Sequence, residues 1–293
     1  MKIIKKEDKQ YPKKLLQIKN APEQLYVEGN EKLLNNDCIA IVGSRKCTKY
    51  GIKYTKEFAS EISQKGITII SGLADGIDTI AHDTAKEYKG NTIAVLGSGL
   101  NKIYPETNIE LVKEILQKNG CIISEYEPNQ EVNMKNFPLR NRIISGISIG
   151  VIVIEAKYRS GSRITAGYGF EQGKKVFCIP RNLGETNGIG TNQLIQKGAI
   201  LVTNPKEILC ELKLETTISS KNTDENIYEY DIEEANVPQE YKDVYKFISN
   251  VPTNINKIII SSKLPISVIE QKLTILELEG YINSLPGNNY IRV

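Results

Sequence analysis

The sequence has no tryptophan and only one histidine, two methionines and five phenylalanines in 293 residues. One imidazole leaves little with which to shuttle protons or hold a metal. The five cysteines, Cys38, Cys47, Cys121, Cys178 and Cys210, are odd in number, widely spaced and without a C-x-x-C pair. Neither a disulfide framework nor a zinc site is suggested by this spacing, and Cys38, Cys121 and Cys178 lie beside or within strand-like runs where a small thiol packs. No Walker A lysine motif, G-x-S-x-G or H-E-x-x-H occurs, so nucleotide hydrolysis, esterase chemistry and metalloproteolysis lose their usual signatures. Met1-Lys2-Ile3-Ile4-Lys5-Lys6 has no apolar signal core, and no run approaches a membrane span. The expectation is a cytoplasmic protein that binds without turnover: no catalytic residue, no metal, no cofactor and no membrane.

Charge is present but uneven. Residues 1–214 carry 31 Lys and Arg against 23 Asp and Glu, a surplus of 8. Residues 215–236 carry 1 against 7, and residues 237–293 carry 6 against 5, which together return the overall +3. A basic body with an acidic tether fits a polyanion binder whose linker stays off its ligand; a lysine-rich composition alone would also give a basic total.

Short apolar runs alternate with helical spacing from Cys38 onward. Cys38–Val42, Ile67–Ile70, Thr92–Leu96, Cys121–Ser124, Gly150–Ile154, Val176–Ile179 and Ala199–Val202 read as strands. Between them Gly51–Gln64, Asp75–Tyr88, Glu106–Lys118, Arg142–Ile147, Ser162–Gln172, Thr191–Gln196 and Lys206–Leu212 read as helices. This order predicts an α/β fold, a doubly wound and mainly parallel sheet with right-handed crossovers, over residues 37–213. Residues 1–36 read as a short helical lead-in, and 214–236 as an acidic flexible linker. Residues 237–293 read as a winged helix-turn-helix: helices at Gln239–Ser249, Asn254–Ser262 (entered at an Asn cap) and Ile266–Glu279, then a hairpin around Pro286-Gly287-Asn288-Asn289.

Three segments beside the strand-like runs are suited to phosphate. Gly43-Ser44-Arg45 directly follows Ile39-Ala40-Ile41-Val42. It is not G-x-G-x-x-G and could be a plain turn, but an arginine at a strand's carboxyl end points into the crevice that α/β proteins use. Lys135 and Phe137-Pro138-Leu139-Arg140-Asn141-Arg142 place two arginines beside an asparagine at an expected helix start, with Phe137 offering a stacking face. Ser160-Gly161-Ser162 with Thr165 supplies small residues and hydroxyls at another helix start. The glycine-rich Ser71–Asp78 run carries Asp75 and Asp78, read as a tight turn with a helix cap rather than an acid–base pair. His82, four residues after Asp78, is expected to hold that turn to its helix through a ring N–H.

With these residues in view, the chain resembles the DprA/Smf family, the DNA-processing proteins of bacterial natural transformation. The resemblance rests on Tyr11-Pro12, Leu25-Tyr26, Val42–Arg45, Ser71–Asp78 with Ala81-His82, Tyr104-Pro105, Phe137–Gly146, Ser160–Ser162 with Thr165-Ala166, and Gly190-Thr191-Asn192. It implies an extended Rossmann fold that binds single-stranded DNA in a basic pocket, dimerises, and loads the RecA recombinase. The single-stranded-DNA site would be Gly43, Ser44, Arg45, Lys135, Phe137, Arg140, Asn141, Arg142, Ser160, Gly161, Ser162 and Thr165. The sequence departs from the family pattern at Gly167-Tyr168-Gly169 after Thr165-Ala166, where helix packing should differ, and at Arg181-Asn182, which should add charge near the pocket. An N-terminal SAM-like domain found in many members has no room before Tyr11. Two rivals remain. A nucleotide phosphoribohydrolase of the lysine-decarboxylase-like Rossmann group would show P-G-G-x-G-T-x-x-E, which is not found. A transcription regulator would need a basic recognition helix, yet Ile266–Glu279 carries Glu270, Glu277 and Glu279 against Lys272 alone.

Overall fold

A computed structural model describes residues 1–214, 237–249 and 252–292. The chain divides into two compact units, Met1–Ile218 and Ser219–Val293. The first contains β1 (Lys2–Lys5), β2 (Gln24–Gly29), β3 (Cys38–Val42), α1 (Lys49–Gln64), β4 (Thr68–Ser71), α2 (Ile77–Ala85), β5 (Thr92–Val95), α3 (Ile109–Gln117) and β6 (Cys121–Ser124). It continues with α4 (Asn136–Ile147), β7 (Gly150–Val153), α5 (Gly161–Glu171), β8 (Lys175–Cys178), α6 (Ile189–Gln196), β9 (Ile200–Leu201) and α7 (Pro205–Glu211).

Nine strands form one sheet in the order β1-β2-β6-β5-β4-β3-β7-β8-β9. The seven from β6 to β9 are parallel, as the alternation of strands and helices requires. Both faces are covered, so the central strands are apolar throughout. On β3, Cys38, Ala40 and Val42 join a core with Ile143, Ala166 and Leu194, while Ile39 and Ile41 turn to the opposite face with Phe58, Ile62 and Ala81. Cys38, Cys121 and Cys178 are buried in the strands, and all five cysteines are free thiols. Burial pushes Cys38 and Cys178 up to about 12, which keeps them protonated.

The lead-in is not helical. Its segments Lys2–Lys5 and Gln24–Gly29 are strands that extend the sheet antiparallel beyond β6, with one short 3-10 turn between them and a second leading on to β3. Leu25-Tyr26-Val27 is a β-prone run between Pro22 and Gly29, and burial of all three drives it into the sheet. Leu15 and Leu34 of the same segment lie in the main core, so it belongs to the body.

The second unit has α8 (Lys242–Tyr245), β10 (Thr253–Asn254), α9 (Ile255–Ser262), α10 (Ile266–Leu278), β11 (Ile282–Leu285) and β12 (Asn289–Arg292). Its strands pair in the order β10-β12-β11 around a core of Val244, Ile248, Ile258, Leu273, Leu276 and Ile282. Asn254 caps α9 by accepting the N–H of Asn256 at 3.1 Å. The helix expected over Gln239–Ser249 is a 3-10 turn followed by only four α-helical residues; its aromatic and β-branched residues are poor helix formers and are held by burial of Val244, Tyr245 and Ile248. Of the expected flexible linker, residues 215–236 lie outside the described residues.

Candidate functional site

The strand order reverses at β3. From it the chain moves outward through β4, β5 and β6, then returns to the other side for β7, β8 and β9. Between β3 and β7 two crossovers diverge, and the crevice past their carboxyl ends is where open α/β sheets receive ligands. A cavity of about 440 Å³ lies there. Its walls include Gly43, Ser44 and Arg45 after β3, Lys157, Arg159 and Ser160 after β7, Phe137, Arg140 and Asn141 of α4, and Gly161, Ser162 and Thr165 of α5.

Local packing explains the first wall. A Cβ on Gly43 would stand 2.6 Å from the Ile77 side chain, and one on Gly76, whose φ is +78°, only 2.3 Å from the Ser44 carbonyl oxygen. The two glycines thus let the loop after β3 nest on the start of α2, where the Ile77 N–H donates to that carbonyl at 3.2 Å. The Ser44 hydroxyl is satisfied within the turn, donating to the Lys46 carbonyl at 3.0 Å and accepting the Lys46 N–H at 3.2 Å. Arg45 and Lys46 are exposed.

Helix α4 starts at Asn136, six residues before the expected position, because a proline in the first turn forfeits no helical bond. Arg140 and Arg142 are therefore both helical, about 200° apart around the axis, and they do different work. Arg140 is buried at 4% exposure in the cavity floor. Its Nη1 donates to the Gly72 carbonyl at 2.7 Å and to the Val95 carbonyl, tying the ends of β4 and β5 together. Burial lowers its pKa to about 10, against the pull of the Asp78 carboxylate. Arg142 does not line the cavity: it forms a two-pronged pair with Glu125 at 2.9 and 2.6 Å, and its charge is spent there. Lys135, at the helix start, is exposed and outside the wall. Phe137 borders the cavity but is 9% exposed, wedged against Gly97 and 5.5 Å from the Tyr104 ring, so it offers no open stacking face. The Arg45 guanidinium lies 6.0 Å from its centroid.

Asn141 reaches α5, its Nδ2 donating to the Gly161 carbonyl at 3.4 Å. The start of α5 brings N–H groups without intrahelical partners and the positive end of the helix dipole. Ser160 and Ser162 share a hydroxyl bond of 2.8 Å, and Thr165 is buried at 1%. Lys46, Lys157 and Arg159 also line the cavity, none of them singled out from sequence. Their signal was present: Lys157 and Arg159 stand in the loop between the apolar run at 150–154 and Ser160. The walls carry Arg45, Lys46, Arg140, Lys157 and Arg159 against one carboxylate, Asp78.

Asp78 is buried and accepts the Gly72 N–H at 3.1 Å, so it holds the turn; the helix cap expected of Asp75 or Asp78 is not formed, because Gly76 precedes α2 with no side-chain cap and Asp75 accepts the Thr107 hydroxyl instead. Burial raises its pKa, with the Arg140 charge opposing. His82 does not hold the turn. Its Nδ1 lies 2.7 Å from Thr92 Oγ1 on β5. That hydroxyl donates to the Ile69 carbonyl at 2.9 Å, so the ring nitrogen is the donor to it. Burial lowers the imidazole to about 3, leaving it neutral. Arg181 does not add charge to the cavity: at 7% side-chain exposure it pairs with the fully buried Glu155 at 2.5 Å and covers the Tyr50 ring at 4.1 Å. Glu155 also accepts the Thr48 N–H at 3.0 Å and Asn187 Nδ2 at 3.3 Å, and Asn187 in turn donates to the Lys46 carbonyl at 3.0 Å. This network braces the Lys46 loop from behind. Gly169, at the departure from the family pattern, takes up the gap against Val176, where a Cβ would stand at 3.0 Å. No group of three or more metal-ligating side chains occurs among the described residues.

The chain matches the family described as DNA recombination-mediator protein A over residues 2–213, and the DprA winged helix domain over residues 233–288. It is 36% identical over 291 residues to Protein Smf of Escherichia coli K12, covering 99% of this chain and 77% of that protein. To DNA processing protein DprA of Streptococcus pneumoniae R6 it is 42% identical over 203 residues, 69% of this chain and 71% of the relative. The solved structure of the S. pneumoniae protein superposes with a TM-score of 0.67 at 41% identity, over 72% of this chain and 74% of that one. That of Helicobacter pylori DNA processing protein A, described for its single-stranded-DNA binding mode, gives 0.66 at 33% identity over 74% and 98%. A nine-stranded sheet with its cationic crevice at the point of reversal, a separate winged-helix unit and matches across both parts agree, and the chain belongs to the DNA recombination-mediator protein A family.

Proposed function

We propose that this chain binds single-stranded DNA in the cavity between β3 and β7. It protects incoming strands in the cytoplasm during natural transformation and hands them, as a homodimer, to the RecA recombinase without chemical turnover. The observation that carries the reading is the wall itself: five cations and the start of α5 face one carboxylate in a crevice of about 440 Å³. That combination suits a chain of phosphates, whose neutralisation releases counterions. The relative from H. pylori, described for binding single-stranded DNA, supports the choice of ligand. The binding residues of this reading are Gly43, Arg45, Lys46, Asn141, Lys157, Arg159, Ser160, Gly161 and Ser162, with Arg140 and Phe137 forming the floor.

Fluorescence anisotropy with matched single- and double-stranded oligonucleotides tests it. Single strands should bind tighter, with affinity falling steeply as salt rises; equal affinity for duplex would overturn the reading. The absence of turnover has its own check. Incubation with AMP should release no adenine, the product a phosphoribohydrolase would give.

A further inference from the structure

Two cationic loops line the cavity, residues 43–46 after β3 and residues 157–160 after β7. Arg45, Lys46, Lys157 and Arg159 carry like charges, which repel one another when no polyanion lies among them. The ladder that joins β3 to β7 ends at Val42 and Val153, with one further bond from the Ile154 N–H to the Val42 carbonyl at 3.1 Å. Past that point the spacing of the loops depends on contacts outside the sheet. We infer that Asn187 supplies the decisive one: it is a positioning residue that fixes the spacing of the two walls, and so raises single-strand affinity without touching the strand. The inference rests on the single-stranded-DNA reading of the cavity.

Asn187 is buried and does not line the cavity. Its Nδ2 donates to the Lys46 carbonyl at 3.0 Å and to Glu155 Oε2 at 3.3 Å. Both partners only accept, so the side of the amide that meets them is the donating one. Its backbone carbonyl accepts the Ala156 N–H at 2.8 Å. One residue therefore grips Lys46, the neighbour of Arg45, through its side chain, and Ala156, the neighbour of Lys157, through its main chain.

Each grip is itself held. The Lys46 carbonyl also accepts the Ser44 hydroxyl at 3.0 Å. The Ala156 carbonyl accepts the Gly190 N–H at 2.7 Å, an approach that a Cβ on Gly190 would obstruct at 2.6 Å from the Lys157 carbonyl oxygen. Glu155, fully buried, takes the Arg181 guanidinium at 2.5 Å and the Thr48 N–H at 3.0 Å. It fits because residue 51 is glycine, where a Cβ would stand 2.6 Å from the Glu155 carboxyl carbon. Buried support of this kind keeps binding groups in one geometry, so the repulsion among the cations is overcome on folding and not when the strand arrives.

Fluorescence anisotropy of the full chain with a labelled oligothymidylate, read at several salt concentrations, tests it. Asn187→Ala removes the side-chain grip and keeps the main-chain one. It should weaken binding by about fivefold, the scale of re-ordering one flexible side chain on binding. All four cations remain, so the slope of log affinity against log salt should stay within about 0.2 of the parent's, whereas Arg45→Ala should flatten it by about 0.7. Asn204→Ala, which removes the cap of α7 outside the cavity, is the control for lost stability. Melting should fall by about 2–4 °C in both asparagine variants, with affinity kept within about twofold in Asn204→Ala. If Asn187→Ala does not fold, Asn187→Ser, which leaves a hydroxyl in the space, is read against the same values. Parental affinity in a folded Asn187 variant overturns the inference and leaves the cavity reading standing. So does a slope flattened as far as by Arg45→Ala, the mark of a lost phosphate contact, or an equal loss of affinity in Asn204→Ala, the mark of lost stability alone. If Arg45→Ala changes nothing, the cavity reading fails, and Asn187 has no site to position.

Discussion

The crevice between β3 and β7 and the helix α10 are both places where proteins of their fold meet nucleic acid, yet they hold their charges differently. Arg45, Lys46, Lys157 and Arg159 line the crevice and are exposed, and no carboxylate among the described residues pairs with any of them within 4.0 Å. On α10 the single cation, Lys272, lies 2.7 Å from both Asp243 carboxylate oxygens and donates to the Glu240 carbonyl at 2.6 Å. Its neighbours on the helix include Glu270 and Glu277. Residue counts alone do not separate the two regions. What separates them is whether each cation has already found a carboxylate, because a phosphate must displace that partner before it gains anything.

The same test applied inside the crevice divides its floor from its walls, and it sets the largest expected effect. Arg140 is as cationic as Arg45, but its Nη1 is committed to the Gly72 and Val95 carbonyls, and its charge favours the ionised form of buried Asp78. Arg140→Met should therefore destabilise the body by about 2–4 kcal/mol, the cost of leaving two buried carbonyls without their donor. Urea unfolding of the full chain measures it. A variant as stable as the parent, but weak for DNA, would place Arg140 among the walls instead.

Next come the walls. Arg45→Ala and Arg159→Ala should each cost about tenfold in single-strand affinity, or about 1.4 kcal/mol, with thermal stability unchanged. Each should also flatten the dependence of log affinity on log salt by about 0.7, one phosphate contact in a single strand. Arg142→Ala is the control from the same helix: its guanidinium belongs to Glu125, and affinity should stay within about twofold. Loss with Arg142→Ala equal to that with Arg45→Ala would erase the distinction between paired and available cations.

How far this division could be read beforehand follows from the range of the forces involved. Short apolar runs bounded by glycine mark Cys38–Val42 and Gly150–Val153 as buried strands in any context. That they lie side by side, and so join the loops at 43 and 160, follows only from the strand order. Pro138 hides the first turn of α4 from a pattern reading, because proline usually breaks a helix but is tolerated within its first turn. With that turn went the 200° that separates Arg140 from Arg142, and both were assigned to one grip. The lead-in strand at Gln24–Gly29 holds a β-prone run of only three residues, and its place in the sheet depends on β6, about a hundred residues away. Pairing is still less local: nothing near Arg181 in sequence announces Glu155 or Tyr50. Motifs thus locate the site, while tertiary packing decides which of its charges remain available.

An effect on stability instead of binding separates charge from titration. His82 lies next to the floor but stays neutral, its pKa lowered to about 3 by burial. The unfolded chain takes up a proton near pH 6.5 that the folded chain refuses, so His82 contributes stability above that pH which is lost as pH falls toward 3. The expected slope is up to about 1.4 kcal/mol per pH unit between pH 6 and 4. His82→Gln should show a shallower loss in denaturant titrations at pH 7 and pH 5. Single-strand affinity should gain nothing from His82 over that range. A rise in affinity on acidification that vanishes in His82→Gln would add the imidazole to the cations of the site.

The smallest effect is expected on α10, and it bears most directly on the contrast between the two regions. Lys272→Ala removes the one cation that a recognition helix here could present, but that cation is held by Asp243 and Glu240. Affinity for single or double strands should therefore move by less than about twofold, a few tenths of a kcal/mol. Asp243→Asn, which loosens Lys272 without removing it, should strengthen duplex binding slightly if pairing is what silences the helix. If Lys272→Ala costs as much as Arg45→Ala, the winged-helix unit reads DNA despite its carboxylates, and ion pairing ceases to distinguish the two regions.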